Sequence, residues 1–264
     1  MYRRLLMQFF NLTTVFLLSV FVSACSLSNK TAEQSHTDKQ TTREQTIAEI
    51  SKDIIALVPE KEMLLESKVL DQPDEFIDAD DKLSQEASTL SLYQQYLAQQ
   101  EKIKRHLPAQ ALEGYQQALA QMKKKRWQQA QQLFDKVMQV EPKLSSGYVN
   151  KALISYHQNA PEQALILLET AQSINAINPY LYNLKGIVYR ETGDFEQAQL
   201  SYEQAIRIWP EYAQAHLNLA VLLELYRGKF SQAKQHYLEY LSLQPNDTRV
   251  QRWLAGLEIK LAAN

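Results

Sequence analysis

A small residue recurs at a nearly constant spacing along the C-terminal half of the chain. Four alanines stand 34, 34 and 35 residues apart, and they are Ala130, Ala164, Ala198 and Ala233. Each is followed four residues later by a bulky side chain, in turn Phe134, Leu168, Tyr202 and Tyr237. A repeat of this length is one supersecondary unit that buries its apolar face only by stacking on its neighbours. The spacing therefore predicts an array of stacked units rather than a single layered core.

Other residues recur in step with these alanines. Three residues before each alanine stand Trp127, Pro161, Phe195 and Phe230, and twelve residues after three of them stand Pro142, Pro210 and Pro245. A second small residue occurs earlier in each unit, at Ala118, Ala152, Gly186 and Ala220. Because proline disfavours helical backbone at the residue before it, each proline should end a helix. These regularities predict helical units that repeat along the chain and that end near each proline.

The third unit carries the pattern most completely, with Tyr182, Gly186, Tyr189, Gly193, Asp194, Phe195, Ala198, Tyr202, Ala205 and Pro210. This pattern resembles the 34-residue tetratricopeptide repeat (TPR). The resemblance implies an all-α, right-handed superhelical solenoid of helix-turn-helix repeats. The glycine of the family's turn is present as Gly193 and Gly228, whereas the first two units have Lys125 and Asn159 there.

The repeats give a domain organisation for the whole chain. We predict a signal peptide over 1–24, an acylated cysteine and disordered tether over 25–43, and a divergent N-terminal helical segment over 44–110. Four TPR repeats follow over 111–247, at 111–144, 145–178, 179–212 and 213–247, and a capping helix over 248–264, with Asp247 as its N-cap. Within the N-terminal segment a helix is expected from about Leu83 to Leu107, with Leu90, Tyr93 and Leu97 facing inward.

The first 25 residues have the features of an export signal. Arg3 and Arg4 precede an apolar stretch that ends in Val22-Ser23-Ala24-Cys25, and this end resembles the bacterial lipobox. The resemblance implies cleavage before Cys25 and acylation of that cysteine, and Ser26 in place of aspartate implies the outer membrane, facing the periplasm. The alternative is an uncleaved transmembrane helix, for which the apolar stretch is short.

The resemblance to TPR proteins also implies which side chains line the concave face of the solenoid. The corresponding residues of the first helices are Tyr115, Leu119, Met122, Val149, Asn150, Leu153, Tyr156, Asn183, Ile187, Arg190, Leu217, Asn218 and Val221. We expect this groove to bind a partner protein or peptide, with asparagine amides available to an extended backbone. The alternative for Leu119, Leu153, Ile187 and Val221 is packing between neighbouring helices.

Two charged features bear on binding. Chaperone-binding TPR proteins hold a carboxylate with Lys and Asn at the fifth and ninth positions of their first helix, but Tyr115 and Leu119 stand there in this protein. That clamp is therefore not expected. The basic run Lys123–Arg126 falls at the turn of the first repeat, where it is either a solvated turn or a contact for anionic lipid or an acidic partner.

Composition argues against several other classes of function. The net charge of −2 argues against dedicated nucleic-acid binding. The single cysteine excludes an internal disulfide and a cysteine-cage metal site. The five histidines lack metal-ligand spacing, and no nucleophile motif is present. We therefore expect no enzyme, no catalytic or metal-binding residue, and no cofactor apart from the covalent lipid on Cys25.

Together these features predict a lipid-anchored periplasmic adaptor whose partner is an envelope protein or peptide. The layout is similar to two types of outer-membrane TPR lipoprotein: the pilotins that help the secretin of type IV pili assemble, and the NlpI-type adaptors that gather cell-wall hydrolases and a protease. Two alternatives remain open. One is an enzyme that acts on peptidoglycan, or an accessory subunit of such an enzyme, with residues 44–107 as the active or docking part. The other is a structural homo-oligomer.

Overall fold

The computed structural model of the protein describes residues 90–263. Within them there are ten α-helices and no strand, which confirms the all-α prediction. The helices are α1 (Leu92–His106), α2 (Ala109–Lys123), α3 (Trp127–Val140), α4 (Ser145–His157), α5 (Pro161–Ile174), α6 (Pro179–Glu191), α7 (Phe195–Ile208), α8 (Ala213–Leu225), α9 (Phe230–Leu243) and α10 (Thr248–Ala262). The predicted signal peptide, Cys25, the tether and residues 44–89 of the N-terminal segment lie outside the described residues.

Eight of these helices form four antiparallel pairs, α2/α3, α4/α5, α6/α7 and α8/α9, and each pair packs on the next. We call the first helix of a pair its A helix and the second its B helix. The stacked pairs make an all-α superhelical solenoid of the kind predicted from the 34-residue period. Helix α10 packs on α9, at the end of the array.

The helix ends follow from local side chains. Helices α3, α7 and α9 end two residues before Pro142, Pro210 and Pro245, as the backbone restriction before proline requires. The carboxylate of Asp247 accepts hydrogen bonds from the first backbone N–H groups of α10, so it is the N-cap that the sequence predicted.

Each turn between an A and a B helix contains one residue in the left-handed region. The φ angles are 55° at Lys125, 59° at Asn159, 85° at Gly193 and 64° at Gly228. Glycine takes this conformation without steric cost, whereas lysine does not. The first two repeats therefore keep the TPR turn geometry despite lacking its glycine.

Small residues lie at the crossing point of each helix pair, and the residues around them are tightly packed. Ala130, Ala164, Ala198 and Ala233 have no exposed surface, and the bulky residues that follow them are 0–1% exposed. A methyl group added at Cα of Gly186 would lie 2.5 Å from Cε1 of Tyr202. Because no real Cβ comes so close to a ring atom, the Tyr202 ring occupies the space that glycine provides.

The A helices of the second, third and fourth repeats are the most enclosed helices of the solenoid, whereas five of the 15 residues of α2 are buried. Ten of the 13 residues of α6 are buried, as are nine of 13 in α4 and in α8. In contrast, only three to five of the 14 residues of each B helix are buried. A helix that is buried on nearly all sides is a core helix, and one with a single buried face is a surface helix.

Helix α1 begins later than the sequence predicted. Ser91 caps it, because the Ser91 hydroxyl accepts from the N–H of Gln94 while the Gln94 side chain accepts from the N–H of Ser91. The helix therefore begins just after Ser91, and Leu90 lies outside it and is 37% exposed rather than facing inward. Tyr96 is the buried residue of this helix.

Two histidines meet inside the fourth repeat. Nδ1 of His216 on α8 lies 3.1 Å from Nδ1 of His236 on α9, and Nε2 of His216 lies 2.8 Å from the carbonyl oxygen of Pro210. Because a carbonyl only accepts, His216 donates to it through Nε2 and accepts from His236 through Nδ1. Burial and the neighbouring His216 lower the pKa of His236 to about 4, against the opposing charges of Glu203 and Glu239.

The crossing of the third repeat gives a first prediction. Gly186→Ala should lower the free energy of unfolding by about 1–3 kcal/mol, because the methyl group overpacks against the Tyr202 ring. Gly256→Ala on α10 is the matched control, since nothing lies within 4 Å of a methyl group added there. The control should gain up to about 1 kcal/mol from helix propensity. Chemical denaturation of both variants measures the difference, and equal effects at the two glycines would contradict the assigned packing.

The histidine pair gives a second prediction. Since the pKa of His236 is about 4 when folded and 6.5 is its ordinary value, the unfolded chain binds more protons between these pH values. Stability from this pair is therefore complete above about pH 6.5 and is lost as the pH falls towards 4. His236→Gln should flatten the fall of the melting temperature between pH 7 and 4.5, whereas His106→Gln, at an exposed histidine of α1, should leave it unchanged. The same fall in wild type and His236→Gln would refute the pairing.

Candidate functional site

The residues predicted to line the groove all lie on the A helices, and nearly all of them are buried. Twelve of the thirteen are 8% exposed or less, and they are Tyr115, Leu119, Met122, Val149, Asn150, Leu153, Asn183, Ile187, Arg190, Leu217, Asn218 and Val221. Tyr156 is the exception and is half-buried. Such burial is typical of residues that pack between neighbouring A helices. The assignment of these residues to partner binding stays a prediction.

The three asparagines of this set hydrogen-bond to other parts of the protein. Asn218 donates through Nδ2 to Oδ1 of Asn183 at 2.8 Å, which joins the A helices of the third and fourth repeats. Asn150 donates through Nδ2 to the hydroxyl of Tyr115 at 2.9 Å, which joins those of the first and second. In this conformation the asparagine side chains therefore form hydrogen bonds that connect the A helices of successive repeats.

A cluster of five aromatic rings lies where the A helices of the third and fourth repeats begin. The ring of Tyr93 stacks on that of Trp209 with centroids 4.2 Å apart and an interplanar angle of 2°. Tyr96 meets Tyr180 edge-to-face at 6.0 Å, and Trp209 stacks on Tyr212 at 4.7 Å. We call these five residues, which belong to α1 and to the repeats, the aromatic cluster.

The cluster shows how α1 is docked. A two-residue link joins α1 to α2 in the first repeat, yet Tyr93 and Tyr96 reach residues of the third and fourth repeats. A 15-residue helix is about 22 Å long, which spans two helix-to-helix spacings of about 10 Å. Helix α1 therefore runs across successive repeats, and Tyr180 and Tyr212 place its aromatic end where α6 and α8 begin.

The sequence predicted only part of the contact between α1 and the repeats. The helical spacing identified Tyr93 as inward-facing, but Tyr180, Trp209 and Tyr212 were not predicted to bind it. Trp209 and Tyr212 flank Pro210 in the loop between repeats. Of the four repeats, only the third has aromatic residues on both sides of the proline that ends its B helix. This pattern is the signal in the sequence that marks where α1 docks.

Arg190 is a buried charge near the other end of α6, 4% exposed. Its Nη2 donates to Oε1 of Glu191 at 3.0 Å. In the first repeat, by contrast, Lys123–Arg126 is exposed, which fits both the solvated turn and the contact for anionic lipid or an acidic partner, so both interpretations stay open.

Neither a metal centre nor a membrane-spanning helix is found in the part of the protein that the structure describes. Among residues 90–263, no three histidine, cysteine, aspartate or glutamate side chains come together as ligands. None of the ten described helices combines the length and apolar character needed to cross a bilayer.

Comparison with known proteins agrees with this architecture. Residues 114–143 match the family model described as "Tetratricopeptide repeat", and residues 186–225 match the one described as "TPR repeat". The two matches fall in the first repeat and across the third and fourth.

Solved structures share the fold at low sequence identity. The structure from a functional characterisation of Pseudomonas aeruginosa pilF has a TM-score of 0.54 and 21% identity, over 58% of this chain and 69% of that one. A thermophilic TPR protein of Thermus thermophilus has a TM-score of 0.51 and 23% identity, over 60% of this chain and 85% of that one. The family matches thus show tetratricopeptide repeats at residues 114–143 and 186–225, and the solved structures share the TPR solenoid fold.

Proposed function

We propose that this protein is an adaptor that binds other proteins on the inner face of its TPR solenoid. The fold supports a protein–protein interaction role, since stacked repeats present an extended concave surface. One observation carries the proposal. A helix from outside the repeats, α1, already docks through Tyr93 on Trp209 and through Tyr96 on Tyr180, where the A helices of the third and fourth repeats begin. A surface that accepts an amphipathic helix of its own chain has the shape and aromatic character to accept one from a partner.

The aromatic cluster supplies the docking energy expected of such a surface. Stacked and edge-to-face ring pairs contribute about 0.5–1.5 kcal/mol each beyond the area that they bury. Tyrosine and tryptophan are also enriched among the residues that dominate protein interfaces. A partner helix that binds to the aromatic cluster has to displace α1. The partner's affinity must therefore exceed the affinity with which α1 docks.

The adaptor is proposed to be held at the inner leaflet of the bacterial outer membrane by lipid on Cys25. The support is the sequence: a short apolar signal, small residues before Cys25, and Ser26 after it. Several acyl chains anchor stably where one does not, at about 0.8 kcal/mol per buried CH₂. TPR proteins are in general scaffolds without catalysis, and we propose the same for this protein.

We propose that the adaptor acts in the assembly or regulation of an envelope complex. The layout of anchor and repeats fits both secretin assembly and the gathering of cell-wall enzymes. The similarity to pilF concerns the fold, so it does not favour the first of these over the second.

Photocrosslinking in living cells tests the adaptor proposal. A photoreactive residue in place of Tyr156, on an A helix, should give a discrete adduct with another envelope protein. The matched control carries the same residue in place of Ile166, which is 56% exposed on a B helix. The same adduct from both positions, or products confined to the protein itself, would contradict binding on the inner face.

Fractionation tests the anchor. The wild-type protein should be processed to begin at Cys25 and should sediment with the outer membrane. Cys25→Ser should accumulate as the uncleaved precursor, and Ser26→Asp should move the protein to the inner membrane while leaving its processing intact. If Cys25→Ser is processed and located like the wild type, the lipid anchor is wrong.

A further inference from the structure

The buried guanidinium of Arg190 is not neutralised by a buried partner. Arginine stays protonated in proteins, and although burial acts to lower the pKa of Arg190, the neighbouring carboxylate of Glu191 acts to raise it. Its one carboxylate partner, Glu191, is the next residue in the sequence and has a side chain that is 38% exposed. A permanent positive charge thus lies on α6 with only a partly solvated counter-charge.

The hydrogen bonding of Arg190 is incomplete. Nη2 donates to Glu191, but among residues 90–263 no acceptor partners Nε or Nη1. A buried donor without a partner destabilises the folded protein, and a charged donor does so more strongly than a neutral one. Such groups in native proteins mark a place for water, an ion or a ligand.

A second unpartnered group belongs to a ring that packs against Gly186, one helical turn before Arg190 on α6. The hydroxyl of Tyr202 is buried and has no partner among the described residues, and it couples electrostatically to Arg190. Burial raises the pKa of Tyr202, so the hydroxyl keeps its proton and can donate it. The close approach of Gly186 fixes the Tyr202 ring. Arg190 and Tyr202 therefore hold three polar atoms, Nε, Nη1 and the hydroxyl, that lack partners in a rigid setting.

We propose that Arg190 and Tyr202 bind a carboxylate group of the partner protein, an inference that rests on the proposed adaptor function. All three polar atoms can donate, which suits an acceptor-only ligand. Because the carboxylate of Glu191 already bonds Nη2 of Arg190, the negative charge close by favours a monoanion over a phosphate dianion. The residues that follow, Glu191–Asp194, are exposed, so the site lies next to solvent. This site differs from the chaperone-type clamp, whose positions hold Tyr115 and Leu119.

Solution NMR of the full-length protein in detergent tests the site with small probes. Propionate mimics a glutamate side chain, and N-acetylglycine mimics the terminal carboxylate of a polypeptide. Acetamide is the neutral control, and the ionic strength is matched with sodium chloride throughout. The reporter is the amide resonance of Gly193, whose N–H donates to the carbonyl of Arg190. At least one carboxylate should shift this resonance saturably, and acetamide should not. The stronger carboxylate identifies the side-chain or C-terminal source.

Variants separate this inference from the adaptor proposal. Arg190→Gln should weaken carboxylate binding at least tenfold, and Tyr202→Phe, which keeps the ring, should weaken it at least threefold. Arg207→Gln, at an exposed arginine of α7, should bind like the wild type. Equal shifts with acetamide, no saturable shift with either carboxylate, or wild-type affinity in Arg190→Gln would overturn the site. If those results came with a Tyr156 adduct in cells, the adaptor would stand and the carboxylate site alone would fall.

Discussion

The close contact between small and bulky residues where paired helices cross is the interaction on which the rest of the structure depends. Gly186 against Tyr202 is one instance of it, and four buried alanines lie at the crossings on the B helices. A small residue allows two helix axes to approach, and the bulky residue then fills the space between them. Because the same contact recurs at a constant spacing, every pair stacks on the next in the same way, and a solenoid results.

This stacking decides where functional groups can lie. It encloses the A helices of the later repeats and the crossing residues of their B helices, so polar side chains there are buried. Asn183 and Asn218 on the A helices join successive repeats, whereas Arg190 on α6 and Tyr202 on α7 each keep polar atoms without partners. The stacking also aligns the starts of α6 and α8, which brings Tyr180 and Tyr212 together as a surface for α1. Docking and anion recognition then fall near opposite ends of the same A helices.

Local features of the fold were readable from the sequence, and long-range ones were not. The period gave the helix pairs, the prolines gave helix ends, and alignment with Gly193 placed Lys125 and Asn159 at turns that do have positive φ. The capping box at Ser91 was missed, so α1 was predicted to start too early. The contact of Tyr93 with Trp209 and that of His216 with His236 depend on how helices are arranged in space, which spacing does not encode. Burial of the predicted groove residues likewise depends on neighbours that spacing does not specify.

The docking of α1 across the repeats is the contact from which the adaptor function is inferred. The most direct test places a photoreactive residue at Tyr93 in the purified full-length protein and maps the products by mass spectrometry. We predict an intrachain crosslink to the segment that contains Trp209 and Tyr212, since the rings of Tyr93 and Trp209 are 4.2 Å apart. Crosslinks that fall only in other segments, or only between two molecules, would contradict it.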